Sequence, residues 1–125
     1  MEQRTIFITG AASGIGRATA IFFHQKGWFI GGYDTDEAKL SELKLELASN
    51  IVTGVLDVTD KAAFDIAMDN FSELTGGRLD IIFNNAGIAI GGRLDGIPFD
   101  SVIATVNVNL IGVLNGIHAA IPLLK

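Results

Sequence analysis

Four times along this chain a short apolar run gives way to a helical pattern, and that alternation leaves few ways to fold. The runs are "TIFITG" (5–10), "WFIGGYD" (28–34), "IVTGVLD" (51–57) and "LDIIFNN" (79–85). Each is rich in β-branched or aromatic residues and ends at turn-forming ones, the mark of a buried strand. Between them, residues 14–26 carry Ile15, Ala18, Thr19 and Phe22 at helical spacing, and Gly27 offers a stop. Residues 36–49 hold Leu40, Leu43 and Leu47 on one stripe, with Asp36 as N-cap. Residues 60–75 set Phe64, Ala67, Met68, Phe71 and Leu74 at core spacing. A long helix over 98–124 has Pro98 near its first turn and Pro122 in its last. Strands apolar on both faces belong to a parallel sheet covered by helices on each side. Right-handed crossovers make such a sheet doubly wound. The expected fold class is α/β.

At 125 residues the chain has the length of one domain, and no linker or low-complexity tract divides residues 1–125. A hydrophobic share of 49% against 18% charged supports a buried core. The formal charge of −5 argues against nucleic acid as a partner. With no Cys, disulfides and thiolate metal sites are excluded, which fits a reducing cytoplasm. His24 and His118 lack the carboxylate or second-His spacing of a metal site, so no metal is expected. No uninterrupted apolar run approaches the ~18–20 residues of a membrane helix, because Asn107, Asn109, Asn115 and His118 break the longest one. The start, "MEQRTIFITG", lacks the apolar core of a signal peptide.

Function concentrates in the first turn. "IFITGAASGIG" (6–16) puts Gly10, Gly14 and Gly16 between the first strand and the first helix. Such a turn leaves backbone N–H groups free at the positive end of a helix dipole, where a pyrophosphate can sit. Ser13 adds a hydroxyl. The spacing is not that of a P-loop, since Arg17-Ala18 stands where Lys and Ser or Thr are required. About 20 residues on, Asp34 ends the second strand, where a carboxylate can accept hydrogen bonds from an adenosine ribose and repel a 2′-phosphate. Asp57, ending the third strand, can meet an adenine amino group, with Val58 beside it. "NNAG" (84–87) ends the fourth strand. All four polar strand ends then face one edge, where open α/β sheets bind ligands.

Taken together, "TGAASGIG" (9–16), Asp34, "DV" (57–58), "NNAG" (84–87) and "VNVNLIG" (106–112) resemble, in order and spacing, the short-chain dehydrogenases/reductases. The resemblance spans essentially the whole chain. It implies a Rossmann-like sheet with strand order 3-2-1-4, binding NAD. Gly10, Ser13, Gly14, Ile15 and Gly16 would hold the pyrophosphate, Asp34 the adenosine ribose, and Asp57 and Val58 the adenine. Asn85, Ala86 and Gly87 would line the nicotinamide-side ribose, with Asn84 tying the sheet together. Asn109 matches the family's Asn that organises a water-linked proton relay. A homo-oligomer is implied, with the long helix in the subunit interface.

One departure is large. The family's general acid/base is a Tyr followed by Lys four residues on, beyond the Asn helix. This chain reaches only Lys125, and its single Tyr, Tyr33, has Glu37 four residues on. The chain therefore reads as the N-terminal half of a longer enzyme, truncated after four strands. The expected parent is an NAD-dependent oxidoreductase interconverting a secondary alcohol and a ketone. The alternative is a catalytically inactive dinucleotide-binding module. A methyltransferase binding S-adenosylmethionine also uses a glycine-rich first turn and an acidic second-strand end, but "NNAG" and the Asn109 motif speak against it.

Overall fold

The computed structural model describes residues 3–89 and 92–124. Residues 90 and 91, in the glycine-rich stretch "GIAIGGRLDGI" (87–97) between the fourth strand and the long helix, lie outside the described residues. The elements run β1 (Thr5–Thr9), α1 (Gly14–Gln25), β2 (Phe29–Asp34), α2 (Glu37–Leu47), β3 (Ile51–Val55), α3 (Lys61–Thr75) and β4 (Ile81–Phe83). A 3-10 turn (Leu94–Gly96) precedes α4 (Phe99–Val106), a π-helical segment (Asn107–Ile111) and α5 (Gly112–Leu124). The sheet has the order β3-β2-β1-β4, with every pair parallel. This is the α/β, doubly wound arrangement that the alternating periods predict.

Side chains alternate across β1, so the sheet carries a core on each face. Phe7 packs with Tyr33, Phe64, Met68 and Phe71 beneath α3 and α5. Ile6 and Ile8 pack with Ala20, Ile30, Leu40 and Leu43 beneath α1 and α2. The Phe7 ring lies 4.2 Å from that of Tyr33, nearly parallel, and meets Phe71 edge-on at 5.4 Å. Asp36 and Asp60 cap α2 and α3 by accepting the N–H groups of Lys39 and Ala63. At the opposite edge from the glycine-rich turn, Asp80 accepts the Thr5 N–H at 2.8 Å and both nitrogens of the Arg78 fork. The Arg78 bonds hold its carboxyl below the usual carboxylate range.

Several expectations need correction. In α1 the large residues do not form the buried face: Ile15 is 71% exposed and Phe22 54%, while Gly16 and Ala20 are buried. The helix lies closest to the sheet at Gly16 and Ala20, and its large contacts to that core come from the partly buried Ile21 and Phe23 instead. Leu74, in the expected core stripe of α3, is exposed. β3 ends at Val55 rather than at Asp57, because the Asp57 carboxylate turns the chain by accepting the N–H and hydroxyl of Thr59. β4 stops at Phe83, since Asn85 and Ala86 bond to a side chain instead of a strand. The long helix is not uniform: one π turn interrupts it at Asn107–Ile111. Phe99–Leu124 is a continuous helical run of 26 residues whose most apolar 18-residue stretch has mean hydropathy 1.5, long and apolar enough to cross a membrane, contrary to the count of uninterrupted apolar residues. Averaging over the helix absorbs its four polar interruptions, and helices of soluble proteins meet the same length and composition.

Phe7→Ala is expected to cost about 3–5 kcal/mol in urea denaturation, the range for emptying a fully buried aromatic site. Leu74→Ala is expected to stay within about 0.5 kcal/mol of the parent. A comparable loss at both positions would restore Leu74 to the core.

Candidate functional site

Because the strands are parallel, β1, β2, β3 and β4 deliver their C-terminal ends to one edge of the sheet. A cleft of about 330 Å³ opens there, lined among others by Gly10, Ser13, Asp34, Asp57, Val58 and Asn85. Ala86 and Gly87 complete its far wall. Eight of the expected binding residues therefore share one surface. A larger cavity, about 600 Å³, lies at the opposite edge among Thr5, Phe29, Arg78, Asp80 and Leu123, and none of the candidate residues reaches it.

The first turn is built by its own backbone and its neighbours. Gly10 takes φ +67°, a left-handed conformation that a Cβ would strain. Gly16 does not face the cleft; a Cβ there would fall 2.1 Å from the Gly10 carbonyl oxygen, so its role is to let α1 close on the turn. Gly14 and Ile15 open α1 beside the cleft, both exposed. Ser13 stands at the N-cap of α1, yet its side chain makes no capping bond. The hydroxyl is thus available to a ligand at the positive end of a 12-residue helix. This is the donor set a pyrophosphate needs, and the turn fits that group.

Asp34 serves the turn as well as the cleft. Its Oδ2 accepts the Ala12 N–H at 3.0 Å and its Oδ1 accepts the Asp36 N–H at 3.0 Å. One residue earlier, the Ala11 N–H donates to the Tyr33 carbonyl at 3.1 Å. The glycine-rich turn is fastened to the end of β2 at two successive residues, and each carboxylate oxygen keeps a lone pair for a ribose hydroxyl. Asp57 is arranged likewise: Oδ1 takes both Thr59 bonds, and Oδ2 makes no bond among the described residues. The Thr59 hydroxyl and N–H hold the Asp57 carboxyl below its usual range, so it is ionised at neutral pH.

On the far wall, a residue that sequence reasoning passed over does the joining. Thr9, 2% exposed, accepts the N–H groups of Asn85 and Ala86 at 3.1 and 3.0 Å. Asn85 Nδ2 reaches across to the Gly10 carbonyl at 3.2 Å. The Asn84 side chain does not tie the sheet through its oxygen: Oδ1 is buried without a hydrogen-bond partner, against Gly116 of α5. Asn109 is not part of the cleft lining, although Val108 is. Its Oδ1 accepts the Ile88 N–H and its Nδ2 donates to the Ile88 carbonyl, both at 2.8 Å. The amide clamps the backbone after "NNAG" as a neighbouring strand would, so any part it plays is exerted through that loop. The only signal for Thr9 was its place before Gly10, a hydroxyl at a strand end.

Tyr33 offers no acid/base chemistry. It is 5% exposed, stacked on Phe7, and burial pushes its phenol up to about 12. Among the described residues no group of three or more His, Asp or Glu is placed to hold a metal ion.

Comparison with known proteins returns one family. The short chain dehydrogenase profile matches residues 4–125. Serine 3-dehydrogenase of Rhizobium radiobacter is 36% identical over 125 residues, covering 96% of this chain and 48% of the relative. A short-chain dehydrogenase/reductase of Brucella melitensis, described as a glucose/ribitol dehydrogenase, superposes with a TM-score of 0.94 at 30% identity, over 100% of this chain and 51% of the other. Carveol dehydrogenase of Mycobacterium avium, solved in complex with NAD, gives a TM-score of 0.89 at 33% identity, over 99% and 50% of the two chains. The chain spans about half the length of the curated relatives it matches.

If the carboxylate of Asp34 holds the turn, Asp34→Ala should speed hydrogen exchange at the Ala12 amide by about tenfold or more, the worth of a hydrogen bond to a charged group. Asp34→Asn, which keeps an acceptor, should change it much less. Equal exchange in both variants and the parent would show that the turn stands without Asp34.

Proposed function

The chain belongs to the short-chain dehydrogenase family, and we propose that it is the dinucleotide-binding half of an NAD-dependent oxidoreductase that interconverts a secondary alcohol and a ketone. The observation that carries this reading is the convergence of the Ser13 turn, Asp34, Asp57, Val58 and residues 85–87 on one cleft. Nicotinamide dinucleotide, when bound, supplies the carbon that accepts or releases the hydride.

The chain's own groups bind and orient. The first-turn N–H groups of α1 and the Ser13 hydroxyl meet the pyrophosphate. The remaining lone pairs of Asp34 accept from the adenosine ribose, and its charge disfavours a 2′-phosphate, which selects NAD over NADP. Asp57 Oδ2 accepts from the adenine amino group, and Val58 lies against the ring. The backbone of Asn85 to Gly87, with Asn109 holding the next residue in place, lines the nicotinamide-side ribose. These 125 residues supply no Tyr and Lys pair to protonate a substrate oxygen, since the single Tyr, Tyr33, is buried with a raised pKa and has Glu37 four residues on. That last observation favours a second reading, a binding module without catalysis. A cysteine-free chain accords with a cytoplasmic protein.

We also propose a homo-oligomer. Ile103, Val106, Leu110, Leu114, Ile117 and Ile121 are each at least 42% exposed. They recur at steps of three and four, the spacing of a helix-pairing seam, which suits the same helix of a second copy.

Calorimetric titration of the 125-residue chain should show NAD binding that exceeds NADP binding, with no turnover of alcohols. Asp34→Ala should weaken both dinucleotides, because it loosens the turn as well as removing the ribose contact. Absence of any heat or thermal shift at millimolar NAD would remove the dinucleotide reading; NADH production by the pure chain would remove the division of labour. Sedimentation equilibrium should find a dimer or larger, reduced to monomer by Leu110→Lys with Leu114→Lys. A monomeric parent chain would leave the seam to another partner.

A further inference from the structure

The wall of the cleft around Val58 is held from behind by α5. Val58, 7% exposed, packs so tightly on Gly112 that a Cβ there would fall 2.5 Å from Val58 Cγ2. One turn further along, Asn115 Nδ2 donates to the Val58 carbonyl at 2.9 Å. The other bonds of this loop are local to it or tie its start to β2: Thr59 donates its N–H and hydroxyl to Asp57 Oδ1. The Leu56 N–H donates to the Asp34 carbonyl at 3.0 Å, and the Asp60 N–H to the Asp57 carbonyl at 3.0 Å. Among the bonds seen in the described residues, Asn115 alone reaches the middle of the loop from another element.

The same run of helix grips the other end of the cleft. Asn109, six residues before Asn115, clamps Ile88 through both polar atoms of its amide. Residues 109–115 therefore touch the loop that follows β3 and the loop that follows β4, which line the same cleft from the two outer strands of the sheet.

We propose that Asn115, with Gly112, is a positioning residue for the adenine end of the dinucleotide. It fixes Val58 and so sets the width of the pocket in which Asp57 and Val58 receive the base. The π turn carrying Asn109 and the start of α5 carrying Asn115 are continuous, so a shift of this helical run moves both the adenine end and the nicotinamide end. The inference rests on the dinucleotide reading of the cleft and adds a determinant that never touches the ligand.

The test compares AMP, nicotinamide mononucleotide and NAD, titrated calorimetrically into the 125-residue chain and into Asn115→Ala. AMP and NAD affinity are expected to fall together by about 3- to 10-fold, the size of one lost hydrogen bond. Affinity for nicotinamide mononucleotide should change by less than about twofold. A general loss of structure would not divide the ligands in this way. Asn115→Ser, which keeps a donor in a smaller side chain, gives the same comparison if the Ala variant does not fold. Unchanged AMP affinity in a folded variant overturns the proposal while leaving the dinucleotide reading intact. A parent chain that binds neither AMP nor NAD overturns that reading and the proposal with it.

Discussion

Thr9 Oγ1 lies at the buried end of the central strand and gathers the chain on both sides of it. It accepts from Asn85 and Ala86, 76 and 77 residues away in sequence, while the backbone of the same strand pairs with β2 and β4. Without that oxygen, two backbone N–H groups in a part-buried position would lose their acceptors, at about 1–3 kcal/mol each. The far wall of the cleft would also lose its attachment to the first turn. Asn85 reinforces the link through its bond to Gly10. Two loops far apart in sequence are thereby held in fixed relation by one hydroxyl and one amide, and Asp34 does the same for the third.

The fold was legible because its dominant signal is one-dimensional. Strands buried on both faces must read as apolar runs, and helices on both sides must alternate with them. The site was legible to the extent that backbone geometry demands particular residues: Gly10 at a positive φ, Ser13 at a helix start, Asp34 at a strand end. What the sequence did not disclose depends on contacts between distant segments. The fully buried residues of α1 are Gly16 and Ala20, with Ile21 and Phe23 packed partly against the core, and the helical spacing of Ile15 and Phe22 does not mark that face. Thr9 looks like any β-branched strand residue until its hydroxyl is seen between the N–H groups of Asn85 and Ala86 and the Phe83 carbonyl, to which it donates at 3.5 Å. The π turn at 107–111 leaves no mark in the pattern, since one extra residue in a turn does not change which residues are apolar.

The long C-terminal helix combines two demands. Its inner face uses Gly112, Gly116, Ala119 and Ala120 to approach the sheet closely, and its outer face keeps large aliphatic residues in contact with solvent. Close approach brings Asn109 and Asn115 within reach of loop backbone, which a helix bearing large inner residues could not do. The exposed face and the cleft are thus two sides of a single element.

The placement of the two chromophores at either end of β2 also governs how this molecule appears to light. Its single phenol is stacked inside the core, and its single indole, Trp28, sits against Phe23 and the Arg4 guanidinium at the start of β2. The cleft lies at the other end of that strand, roughly 20 Å away at 3.3 Å per residue. Trp28 fluorescence therefore reports on packing at the far end of the sheet rather than directly on what occupies the cleft, whereas the buried Tyr33 ring lies next to Asp34 at the cleft end. A ligand there has to be followed by its own chromophore, by heat, or by energy transfer across the length of β2.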